Sequence, residues 1–128
     1  MKQLTKAEEQ IMHILWELER GFVKEIIDNL PEPKPAYNTV STIIRILEKK
    51  GFVAHNAYGN SHEYYPIVTK EEYTKAFLKN FVKNYFSDSY TEMVSFFTQG
   101  RDLSLADLEE IKKMISDEIK KQKRDENE

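Results

Sequence analysis

Cysteine is absent from the chain, which excludes disulfides, thiolate-ligated zinc, iron–sulfur clusters and thiol nucleophiles together. Long apolar runs are absent too. No stretch approaches the roughly 18 uninterrupted apolar residues of a membrane span, and Met1-Lys2-Gln3-Leu4-Thr5-Lys6 lacks the apolar segment of a signal peptide. A cytoplasmic protein without membrane contacts is expected. There is no phosphate-binding glycine loop, metal-ligand motif or Ser/His/Asp constellation, so no catalytic residue, metal ligand or cofactor is assigned and the chain is not read as an enzyme. A positive balance is also missing: 19 Lys and Arg against 22 Asp and Glu leave −3, which weighs against phosphate-driven nucleic-acid binding.

The distribution of charge answers part of that objection. Residues 1–70 hold nine basic and nine acidic side chains, so the whole deficit lies in residues 71–128. Within 34–50, Lys34, Arg45, Lys49 and Lys50 face only Glu48, a local excess of +3. With 128 residues, 40% of them apolar, the chain suits one domain or a small domain with an appendage.

Thr5-Lys6-Ala7-Glu8 is a capping-box pattern that opens a first helix, along which Ala7, Ile11, Ile14, Leu15 and Leu18 recur at helical spacing. Gly21 is the expected left-handed stop, and Trp16 is read as a core residue. A short second helix is expected over Val23 to Leu30. Pro31, Pro33 and Pro35 then forbid helix and make a stiff connector.

The third helix, from about Ala36 or Tyr37 to Lys50 and stopped by Gly51, is the most informative. At about 100° per residue, Val40, Ile43, Ile44 and Leu47 share one side, while Asn38, Ser41, Thr42, Arg45 and Lys49 share the other. A merely solvated face favours long Glu and Lys; Asn, Ser and Thr are poor interior helix formers. Their chemistry suits major-groove edges instead: Asn pairs with adenine, Arg with guanine, and Thr meets the thymine methyl.

Phe52 to Asn56 and His62 to Pro66 read as two strands around the turn 57–61, a β-hairpin. Three helices followed by a hairpin is the order of a winged helix-turn-helix. His55 and His62 can face each other across that hairpin; lacking a third ligand, they are read as rim residues within reach of phosphate.

Beyond it, Thr69-Lys70-Glu71-Glu72 is a second capping box that opens a strongly aromatic helix, a shorter helix is expected over about 89–98, and Ser104 with Asp107 caps a last one. The tail Lys120 to Glu128 is expected to fray. These helices carry more apolar surface than they can bury alone, so a second copy of the chain is the economical cover. Phe77, Phe81, Tyr85, Met93, Phe96, Leu108, Ile111 and Ile115 are the expected dimer contacts. The predicted fold is mainly α with a small β-hairpin: a DNA-binding winged helix over 1–70 and a helical dimerisation region over 71–128.

The chain resembles the penicillinase repressor family of winged-helix transcriptional repressors. Matching stretches are Leu4-Thr5-Lys6-Ala7-Glu8, Ile11-Met12 and Leu15-Trp16, then Glu25-Ile26, then Ala36-Tyr37-Asn38-Thr39-Val40 with Thr42, Arg45, Leu47, Lys50 and Gly51. Gly59, Tyr65, Glu72-Tyr73, Leu103-Ser104 and Leu108 extend the likeness to about residues 4–119. The resemblance implies a homodimer on a dyad-symmetric double-stranded operator, with repression relieved by cleavage or release. Relatives usually carry Arg or Lys after the wing glycine, where this chain has Asn60. Cleavage by a sensor-linked protease falls before a Phe in the penultimate helix, commonly after Asn; the match here is Ser95-Phe96. Copper-responsive members use C-terminal cysteines, which this chain lacks.

The expected DNA contacts are therefore Tyr37, Asn38, Thr39, Ser41, Thr42, Arg45 and Lys49 on or beside the third helix and Asn60 in the wing. The alternative is a winged helix used for protein–protein contacts without sequence-specific DNA binding, which the acidic balance favours and the third helix's polar face opposes.

Overall fold

The computed structural model describes residues 1–127. In chain order it consists of α1 (Lys6–Leu18), β1 (Gly21–Phe22), α2 (Val23–Asp28), α3 (Tyr37–Lys49), β2 (Val53–Tyr58), β3 (Ser61–Pro66), α4 (Lys70–Phe86), α5 (Tyr90–Gln99) and α6 (Leu105–Glu126). The winged-helix order expected from the sequence is present. By mutual packing the chain divides into two units, Met1–Asn80 and the segment from Phe81 onward.

In the first unit, apolar stripes on three helices converge on one core. Ile11, Met12 and Leu15 of α1, Ile26 of α2, and Val40, Ile44 and Leu47 of α3 are essentially inaccessible to solvent. Each such side chain contributes about 1.5–3 kcal/mol on burial. Phe52 and Val53, entering β2, close this core from the sheet side. Trp16 sits at its edge, where the indole Nε1 donates to the Val68 carbonyl at 2.9 Å.

The sheet has three strands, not the two of the expected hairpin, in the order β1-β3-β2 and antiparallel throughout. Gly21 pairs with Tyr64 and Phe22 with Glu63. Gly21 is therefore a strand residue rather than a helix stop. The left-handed residue after α1 is Glu19 (φ 69°), and a Cβ on Gly21 would come within 3.4 Å of Leu18 Cδ1. Arg101 (φ 58°), not Gly100, takes the corresponding position after α5, whereas Gly51 (φ 83°) does end α3 as expected. The hairpin strands extend to Tyr58 and Ser61, leaving a two-residue turn whose Gly59 adopts φ 61°.

The division between units falls inside α4, ten residues past the expected 70/71 boundary. Tyr73 explains the shift: its ring packs 5.9 Å from those of both Trp16 and Phe52, and its hydroxyl donates to Glu9 at 3.2 Å. Burial raises the Tyr73 phenol above its ordinary range, and the Glu9 carboxylate adds to that. In the second unit, α6 continues to Glu126, so the expected fraying of the tail is corrected. Lys123 and Arg124 in its last turn complement the helix dipole, and Gln122 bonds Glu118 one turn back. Glu128, the last residue of the expected 71–128 region, lies outside the described residues.

One buried ion pair ties the start of α1 to the end of α3. Glu8 is buried, and its two carboxylate oxygens accept from Lys50 Nζ at 2.8 and 2.9 Å. The same carboxylate caps the Thr5 N–H at 2.8 Å. Burial alone pushes Glu8 upward, but the Lys50 and Thr5 bonds outweigh it and hold the carboxyl below its ordinary 4.5. A carboxyl depressed in the folded state stabilises the fold above its unfolded value, and that contribution is lost as pH falls through the folded value. Lys50→Met leaves Glu8 buried and unpaired and is expected to cost about 2–3 kcal/mol at neutral pH. Denaturant melts of both chains check this, with the gap narrowing as pH falls and the orphaned carboxyl, no longer held down by Lys50, takes up a proton.

Candidate nucleic-acid interface

The three buried side chains of α3 fix its rotation, so the opposite stripe must face outward. Tyr37, Asn38, Thr39, Thr42, Arg45 and Lys49 are exposed and Ser41 is half-buried. The polar stripe is partly pre-arranged. Thr42 Oγ1 donates to the Asn38 carbonyl at 2.8 Å, which fixes the hydroxyl toward the helix backbone. Arg45 Nε donates to the Ser41 carbonyl at 3.3 Å, leaving the terminal guanidinium nitrogens to reach outward. Ala36 caps the helix without a side-chain bond, and its carbonyl accepts from the Thr39 and Val40 N–H groups at 3.1 and 3.2 Å.

The hairpin brings the wing beside this stripe. Tyr37, Ser41 and Arg45 line one groove with Asn60 and His62, with Val23 and Tyr64 at its base. Four expected contacts, Tyr37, Ser41, Arg45 and Asn60, are thus gathered on one concave surface. Asn38, Thr39, Thr42 and Lys49 lie outside that groove, along the exposed side of the same helix. His62 belongs to the groove although only its rim position was legible in sequence. Tyr64 is buried there, and burial raises its phenol, with Glu48 adding to the effect.

The local charge excess is smaller in the fold than in the sequence. Lys34 Nζ donates to the carbonyls of Ile27, Asp28 and Leu30, capping the end of α2. Lys50 is neutralised by Glu8, and Glu48 pairs with His55. Among the described residues of 34–50, Lys34, Arg45 and Lys49 are the cations outside ion pairs, and of these Lys34 is turned onto the carbonyls of α2.

The expected dimer residues divide between the units. Phe77 belongs to the first; Phe81, Tyr85, Met93, Phe96, Leu108, Ile111 and Ile115 belong to the second. Among described residues from 81 onward only Val82 is buried. Phe96 is 71% exposed and Ile115 51%, although Phe96 lies 5.6 Å from the Phe86 ring. Ser95 and Phe96 are exposed but sit inside α5, where Ser95 accepts from Thr98 and Gln99 side chains. No helix of the described residues is long and apolar enough to cross a membrane.

The model of the penicillinase repressor family matches residues 4–117. The chain belongs to the penicillinase repressor family. That family consists of transcriptional repressors, which are not enzymes. The methicillin resistance regulatory protein MecI of Staphylococcus aureus strain N315 is 25% identical over 115 residues, covering 89% of this chain and 94% of MecI. The penicillinase repressor of Bacillus licheniformis is 22% identical over 122 residues, 94% of this chain and 95% of that protein. Among solved structures, the hsRosR-S4 complex aligns over 94% of each chain at 16% identity with a TM-score of 0.51, a likeness of fold alone. Membership of the penicillinase repressor family thus agrees with the winged-helix head and the helical C-terminal region expected from the sequence.

Proposed function

We propose that this DNA-binding transcriptional repressor acts in the cytoplasm as a homodimer on a dyad-symmetric operator, without catalysis of its own. The carrying observation is the outward stripe of Asn38, Thr42, Arg45 and Lys49 on a helix whose opposite side buries Val40, Ile44 and Leu47. A helix pinned in this way presents a fixed pattern of donors and acceptors, which is what direct readout of base edges needs. The first unit is the reading head and the helices beyond it are the dimerisation arm, where unburied Phe96 and Ile115 support cover by a second copy. The Ser95-Phe96 junction is the candidate cleavage point for a sensor-linked protease, which has to open or unwind α5 to reach it.

Base-reading and backbone-positioning contacts respond differently to truncation. Arg45→Ala or Thr42→Ala is expected to cost about 1–3 kcal/mol at one base position and relax preference there. Lys49→Ala, near the helix end, weakens all duplexes alike and flattens the salt slope by about one unit per half-site. Mobility-shift titrations against specific and random duplexes over a salt series check both. Equal losses on both duplexes for every variant contradict base reading. Salt-insensitive binding to a protein, with no DNA binding, supports a protein-interaction module instead.

A further inference from the structure

The hairpin contains neither lysine nor arginine between Val53 and Pro66. Any cation the wing offers must come from its two histidines. Their rings lie parallel, with centroids 4.0 Å apart and planes 9° apart. His55 Nδ1 is hydrogen-bonded to the Glu48 carboxylate, which anchors the inner ring to α3. His62 lies exposed on top of it and lines the groove that holds Arg45 and Asn60.

We propose that His62 is a wing contact to DNA phosphate, engaged in its protonated form, with His55 and Glu48 as the positioning pair beneath it. Operator affinity then rises as pH falls through the histidine range. This deepens the DNA-binding reading above and rests on it. Imidazole is the side chain that ordinarily gains charge between pH 8 and 5. Once protonated it carries two N–H donors and no acceptor, which suits a phosphate oxygen.

The surroundings of His62 decide whether DNA can control that charge. Arg45 and Tyr37 of α3 line one groove with it, and Lys24 and Glu25 of α2 line a second that it borders. Within the hairpin it meets His55, Tyr58 and Tyr64. The charged groups facing His62 are thus Arg45, Lys24 and Glu25, with His55 beneath it, while Glu48 is occupied by His55. A phosphate held against His62 adds negative charge beside its ring. Binding of DNA therefore favours proton uptake at His62, and by linkage proton uptake favours DNA. The same contact gives this wing a cation where Asn60 supplies none.

The test uses the full chain and a duplex selected by it from random sequence, titrated at about pH 6 and about pH 8 over a salt series. Wild type is expected to bind about tenfold or more tightly at the lower pH. Its slope of log affinity against log salt steepens there by about 0.9 for each protonated wing, so about 1.8 for a dimer. His62→Gln loses the gain in affinity between the higher and the lower pH. His62→Lys binds tightly at both, because its charge persists. His13→Gln, on α1 outside the groove, behaves as wild type. PH-independent binding by wild type, or a pH dependence that survives His62→Gln, overturns the proposal while leaving DNA binding intact. Failure of wild type to bind any duplex at either pH sinks the DNA reading itself, and this proposal with it.

Discussion

Phe96→Asp is expected to turn a dimer into a monomer at micromolar concentration and to weaken binding to a full operator by about 10²-fold or more. The residue is 71% exposed in the single chain, so a carboxylate there costs the isolated chain little. Seated against a second copy, the same carboxylate is buried without a partner, which costs several kcal/mol. Two reading heads on one dimer gain an effective concentration that separate heads forfeit, which is the source of the large factor. Analytical ultracentrifugation and operator titration should show both losses together. Ile115→Asp on α6 should reproduce them. A wild type that sediments as a monomer under these conditions removes the dimer from the account.

A chain ending at Ser95 should show a loss of similar size by a different route. It retains the core built from Met12, Leu15, Ile44, Leu47 and Phe52, all within the first unit, and discards all of α6 together with Phe96. The fragment is expected to stay folded through the winged helix, sediment as a monomer, and bind a full operator little better than a half-site. It mimics the product of cleavage at Ser95-Phe96 without requiring the protease. Full-length affinity in that fragment would mean that cleavage there cannot relieve repression, and a ligand or partner would be needed instead.

Local chemistry made much of the fold legible. The Thr5/Glu8 and Ser104/Asp107 capping boxes connect residues three apart and are present as read, whereas the Thr69/Glu72 box is half formed, with Thr69 Oγ1 accepting from the Glu72 N–H. The orientation of α3 followed from 100° periodicity because its apolar and polar sets are cleanly separated. What escaped the sequence depends on distant partners. β1 is two residues long and exists through pairing with Glu63 and Tyr64. The Glu8–Lys50 pair spans 42 residues, and it removes a cation that composition had counted toward DNA. Lys34 keeps its charge but is turned onto the carbonyls at the end of α2. The left-handed positions at Glu19 and Arg101 went unread because glycine two residues or one residue away was the stronger local signal.

The candidate site divides in the same way. Exposure of Asn38, Thr39, Thr42, Arg45 and Lys49 was readable from the helix alone. Their continuity with Asn60 and His62 was not, since it depends on the hairpin register that sets Ala57 opposite His62 and Tyr58 opposite Ser61. A two-residue turn in place of five lengthens both strands, and His62 of β3 lines the groove.

The central claim is that a dimer of this chain reads a defined DNA sequence, and selection from random duplex DNA by the full-length protein near physiological salt tests it most directly. The account predicts enrichment of two inverted half-sites, centred about one helical turn or a multiple of it apart, with affinity for the winning duplex falling steeply as salt rises. No enrichment over the starting pool, or enrichment of a single unpaired half-site, would contradict it.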